Sequence, residues 1–254
     1  MMGDMSFSVP GVSYMSPVQA TPSDVEALVL ELQAHPVNTN EFFRTFESRQ
    51  LRPRQLRAFV RQYHYFCFHF VKVLEGLLYH TPIHEMEMRT ELAKTLYSEL
   101  GSGSPDRVHI RQLERFASSI GLQPRDLQAT VPIPEVTTYL DTLRRLFLHS
   151  GHLTALGAAL AVETTAASEF RYFVPGLEHY EQFHPGELEF FTLHLAEEQH
   201  HGNWLVEAVR KTARSEDDLH RVAAGAREAA DAWSEFWAGM YRMVFDANLA
   251  DALD

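Results

Sequence analysis

Between Pro185-Gly186 and Lys211 the chain reads ELEFFTLHLAEEQHHGNWLVEAVRK. Its apolar residues recur at helical rather than alternating spacing, which predicts one long helix after the Pro-Gly break. His194, Glu198 and His201 stand at i, i+4 and i+7 along it. At 100° per residue these side chains fall within about 60° of one another, so two imidazoles and a carboxylate share one stripe. His200 points about 120° away from His194 on the same arithmetic, and Glu197 lies on the far flank. A helix that is merely polar on one side fits this pattern equally well. A metal needs ligands from several elements, because one helix cannot surround an ion, so the rest of the chain decides.

The remaining text is helical throughout. Expected helices follow Ser23 as a cap, occupy 38–48 and about 53–79, and run from Ile83 to the Gly-Ser turn at 101–104. Others cover about 106–120, the stretch from about 134 to Ser150, the stretch after Gly151, and the terminal SEDDLHRVAAGAREAADAWSEFWAGMYRMVFDANL. Pro175-Gly176 is expected to stop the segment that begins after Gly151. No period-2 strand pattern and no internal repeat appears between them. The fold expectation is all-α, one domain over 23–254 of roughly seven or eight helices, preceded by a flexible arm over 1–22.

Composition removes several function classes. A net charge of -12 with no dense basic patch excludes nucleic acid and anionic membrane as partners. No run of 18 apolar residues is present and the N-terminus lacks a signal-peptide pattern, so a cytoplasmic location is expected. The one cysteine, Cys67, rules out an intramolecular disulfide.

Polar residues inside apolar helices supply further candidates. Glu163 sits in LTALGAALAVETTAAS among small apolar neighbours, where an isolated carboxylate must be paired, protonated or metal-bound. Glu99 closes one helix and His109 opens the next, so the two flank a single loop. Singly, each has a plain reading as an ion pair, a helix-end acid or a cap. Together, Glu99, His109, Glu163, His194, Glu198 and His201 form a carboxylate-imidazole set without thiolate, which suits iron or manganese and exceeds what one open catalytic ion needs.

The order and spacing of these residues resemble the haem-oxygenase-like diiron oxidases and oxygenases. A glutamate is followed ten residues on by a histidine (Glu99, His109), and a second glutamate lies in a small-residue helix (Glu163). An H-x3-[D/E]-x2-H helix follows about 30 residues later (His194, Glu198, His201). YSELGSGSPDRVHIRQLERFASSIGL is similar to the family's glutamate-to-histidine segment, and the resemblance spans about 40–215. Glu198 stands where many members carry aspartate. The resemblance implies a haem-oxygenase-like bundle holding two Fe(II) ions on those six residues. It implies O2 as co-substrate, a bridging peroxo species, and oxidation of a small amino-acid-derived or fatty-acid substrate by N-oxygenation, C–C cleavage or desaturation. An external electron donor and a homodimer are left open. Some nitrogen-oxidising members carry an extra glutamate on an early helix. Glu75 is the candidate for that role and Lys72 for a pocket residue beside it, against an exposed Lys72–Glu75 pair.

Rival patterns fit less well. A ferritin-like pair of E-x-x-H motifs fails because Glu181–His184 abuts Pro185-Gly186, and His84-Glu85 meets Met88 where a zinc motif needs histidine. The alternative from another class is a metal-independent thiaminase-like hydrolase, with Cys67 as its conceivable nucleophile, or a small-molecule binding protein of the same fold.

Overall fold

The computed structural model describes residues 21–245, with the side chains of residues 22 and 197–201 outside that description. Among the described residues there are ten α-helices, two short 3-10 turns and no strand. In chain order the helices are α1 (Pro22–Gln33), α2 (Glu41–Ser48), α3 (Pro53–His80), α4 (Met86–Glu99) and α5 (His109–Ser119). They continue with α6 (Pro124–Gln128), α7 (Pro134–His149), α8 (His152–Glu178), α9 (Glu189–Thr212) and α10 (Glu216–Phe245). The all-α expectation holds, with more helices than the seven or eight read from sequence. None is long and apolar enough to cross a membrane.

Local chemistry fixes several ends. Thr21, not Ser23, caps α1: its N–H donates to the Asp24 carboxylate at 2.9 Å, and Pro22 takes the first helical position where no donor is needed. Residues 1–20 of the expected arm lie outside the described residues, and Pro22 already belongs to α1. Asn40 Oδ1 accepts from the Phe43 N–H at 3.0 Å and starts α2.

Pro175-Gly176 does not end α8, which runs two residues further to Glu178. Pro175 deletes one helical hydrogen bond, at a cost that can reach about 3 kcal/mol. Buried Phe173 and Leu177, on either side, carry the last turn through by packing into the core.

The long helix α8 is the centre of the bundle and packs chiefly on α10 and α9, with α2 and α7 beside it. Its small residues make this possible. A Cβ on Gly157 would stand 1.8 Å from Val222 O, and one on Gly225 would stand 2.0 Å from Thr154 O, so the two backbones touch at reciprocal glycines. Toward one end Phe42, Phe46, Phe59, Phe173 and Trp237 form a fully buried aromatic core with ring centroids 4.9–6.5 Å apart. Each such ring contributes roughly 1.5–3 kcal/mol on burial. This packing holds α3, α8 and α10 in register and leaves a largely apolar cavity with a few acidic and imidazole groups further along α8.

Candidate metal centre

Glu99 is the last residue of α4 and is brought inward by a tight reversal. The Gly101 N–H donates to Ser98 O and the Ser102 N–H to Tyr97 O, both at 2.8 Å, with Gly101 at φ 82°. This paired capping needs a left-handed residue after the helix, which glycine adopts without strain. A carboxylate at the C-terminal end of a helix meets the negative pole of the macrodipole and loses up to about 1 kcal/mol. Its burial there calls for a cation rather than for helix stability.

The chain returns through the turn into α5, whose first residue is His109. His109 Nδ1 lies 3.2 Å from Glu99 Oε1, yet the geometry is not that of a hydrogen bond, and this buried nitrogen has no hydrogen-bond partner. Two electron-rich atoms placed side by side in this way converge on a common point instead of bonding each other. His194, on α9, completes the group. One ligand atom from each of Glu99, His109 and His194 lies within 4.8 Å of the others, and all three residues are buried.

His194 is oriented on three sides. Its Nδ1 is 2.6 Å from Phe190 O, and since a carbonyl can only accept, Nδ1 carries the proton and Nε2 is the nitrogen suited to ligate. Phe170 stacks on the ring at 4.7 Å, and His109 meets it edge-on at 4.4 Å. Glu163, only 4% exposed, comes from the middle of α8 and lines the same cavity of about 60 Å³. Three carboxylates, Glu99, Glu163 and Glu169, line it, and among the described residues no lysine or arginine does. Three carboxylates and two imidazoles around one cavity, one imidazole nitrogen buried without a hydrogen bond, fit a hard or borderline metal ion such as iron.

Four of the six candidate ligands are therefore gathered around one cavity. The side chains of Glu198 and His201 lie outside the described residues; their backbone belongs to α9. Lys72 and Glu75 are not brought to the cavity. They form a 2.7 Å ion pair on the outer flank of α3, with the Lys72 side chain 83% exposed, so the exposed-pair reading describes their position. An i, i+3 spacing pairs these residues whichever way the helix face turns.

Glu169 was not singled out from sequence. It is 2% exposed, lies six residues after Glu163 on α8, and accepts a hydrogen bond from Tyr63 Oη. Burial pushes its carboxyl up to about 8, partly offset by that hydrogen bond. The signal was available in TTAASEF, where a second lone acid follows a run of small residues. Cys67 also lines the cavity, and burial together with the charges of Glu169 and Glu99 pushes its thiol well above the ordinary range. A thiol held protonated is a poor nucleophile.

The chain is similar to known proteins along most of its length. The family model described as "Iron-containing redox enzyme" matches residues 57–234. The chain is 24% identical over 226 residues to a 4-aminobenzoate synthase of Nitrosomonas europaea, covering 86% of this chain and 90% of that protein. It is 25% identical over 222 residues to a 4-chloro-allylglycine synthase of Streptantibioticus cattleyicolor, covering 87% and 83%. A solved domain of unknown function from Shewanella denitrificans, described as having a heme oxygenase-like fold, superposes with a TM-score of 0.69. The identity there is 14%, over 88% of this chain and 93% of that one, and the likeness is one of fold.

Proposed function

Since the chain belongs to the family of iron-containing redox enzymes, we infer that this oxidoreductase is a non-haem diiron oxygenase that uses O2 to oxidise a small amino-acid-derived substrate. The observation that carries the reading is the convergence of Glu99, His109 and His194 within 4.8 Å, in a cavity with no lysine or arginine lining it among the described residues. Glu99, His109, Glu163 and His194 would hold the metal, with Glu198 and His201 supplied four and seven residues further along α9. Bound ferrous iron supplies the reaction with O2 that no amino-acid side chain provides.

The chain's own groups do the rest. The Phe190 carbonyl fixes the tautomer of His194, so its Nε2 lone pair is presented to the metal. Phe66, Phe70, Phe170 and Trp233 line the cavity and exclude water from the reacting groups. Tyr63 donates to Glu169 and holds that carboxyl in one orientation. Both curated relatives are named for products that carry an amino group, which supports an amino-acid-derived substrate here. Electrons beyond those of the substrate would come from an external donor. The thiaminase-like alternative is weakened by the raised thiol of Cys67.

Anaerobic titration of the purified chain with ferrous iron, followed by O2 uptake measured at a Clark electrode, tests the reading. About two equivalents per chain and iron-dependent O2 consumption are expected. A chain that binds no ferrous iron, or binds it without consuming O2, overturns it.

A further inference from the structure

Glu169 is the cavity carboxylate that the metal reading leaves unused. It sits six residues from Glu163, on the order of 9 Å further along the α8 axis, and is not among the ligand atoms that converge within 4.8 Å. Its Oε1 accepts from Tyr63 Oη, while its Oε2 is buried with no hydrogen-bond partner. An oxygen enclosed in this way carries a negative charge only when a donor reaches it. No lysine or arginine lines the cavity among the described residues, which leaves a ligand to supply that donor in the cavity. The rings around it suit a cation, because Phe66, Phe70, Phe170 and Trp233 line the same space and aromatic faces attract ammonium groups.

We propose that Glu169 is the docking carboxylate for the ammonium group of a primary-amine substrate, with Tyr63 holding it in place. This deepens the amino-acid-derived reading above and rests on it. Specificity follows from the pairing. An ammonium satisfies the buried oxygen and gains from the rings, an alcohol satisfies the oxygen alone, and a carboxylate is repelled. In the absence of a cation the carboxyl is largely protonated at neutral pH, because burial pushes it up to about 8; an arriving ammonium restores its charge.

The test is calorimetric titration of n-propylammonium into the full chain, iron-loaded under argon, and in parallel into the iron-free chain. 1-Propanol and propionate serve as isosteric controls. Propylammonium is expected to bind at least about tenfold more tightly than either control, as a charge-assisted contact should. Glu169→Gln should remove that advantage in both preparations while iron uptake stays at the wild-type level. Tyr63→Phe, which keeps the ring, should weaken propylammonium by a smaller factor. Equal affinity of wild type and Glu169→Gln for propylammonium overturns the proposal, as does equal affinity for propanol. Loss of iron from Glu169→Gln would also overturn it, by making Glu169 a metal ligand. A chain that takes up no iron but still binds propylammonium through Glu169 counts against the diiron reading alone.

Discussion

The two ends of α4 treat buried carboxylates in opposite ways. At the N-terminal end Glu91 is buried with Lys94 Nζ at 2.6 Å and Lys211 Nζ at 4.0 Å. Glu85 is buried with His84, His152 and Arg214 between 3.5 and 3.9 Å away. At the C-terminal end Glu99 faces His109 and a cavity that no lysine or arginine lines among the described residues. A buried acid beside permanent cations is a structural pair, whereas one that converges with two imidazoles on a cavity is placed to share a mobile cation. The difference lies in what surrounds the acid and not in its depth.

That contrast is broken most forcefully at the ligands. Glu163→Ala and His194→Ala are each expected to lower ferrous-ion affinity by about 100-fold or more, since they remove ligands directly and not merely their supports. Equilibrium dialysis with circular dichroism as a fold control measures this. Beside it in size is a dependence of stability on pH. The carboxyl of Glu169 lies near 8 when folded, against 4.5 in a free side chain. Its favourable contribution is therefore complete below pH 4.5 and lost as pH rises toward 8. The loss is on the order of 4 kcal/mol for the iron-free chain. Glu169→Gln has no such titration, so its stability advantage over wild type should widen across that window in urea denaturation.

Gly157→Ala tests the frame that holds both regions. A methyl there would stand 1.8 Å from the Val222 carbonyl, so α8 and α10 must separate, at about 3 kcal/mol in thermal denaturation. Smallest is Lys94→Ala at the paired end. The Lys94 side chain is 44% exposed and Lys211 remains near Glu91, so the loss is about 1 kcal/mol or less, with iron binding unchanged.

Much of the site could be read from the text because its ligands occupy positions where helical spacing and chain punctuation speak together. Glu99 and His109 flank a glycine-serine turn, and a loop that short can only bring them near each other. Glu163 stands alone in a run of alanines, which made its burial predictable. Glu169 is harder to read because polar Ser168 and Arg171 stand beside it and blur the lone-acid signal of TTAASEF, while the contact that turns it inward comes from Tyr63, 106 residues earlier. The extension of α8 past Pro175 was hidden for a similar reason. Tertiary packing of Phe173 and Leu177 outweighs a local breaker, and packing partners far apart in sequence leave no periodic trace. The cap at Thr21 was misplaced by two residues because Ser23 is an equally good capping residue out of context. For Lys72 and Glu75, spacing specified a pair but not the face on which it sits.

The most direct test of the account is an anomalous difference map, recorded at the iron absorption edge from crystals loaded with ferrous iron under argon. A peak within coordination distance of Glu99, His109 and His194, with a second beside Glu163, is the predicted result. Iron absent from that cavity, or bound instead at the Glu85 and Glu91 end of α4, would contradict it.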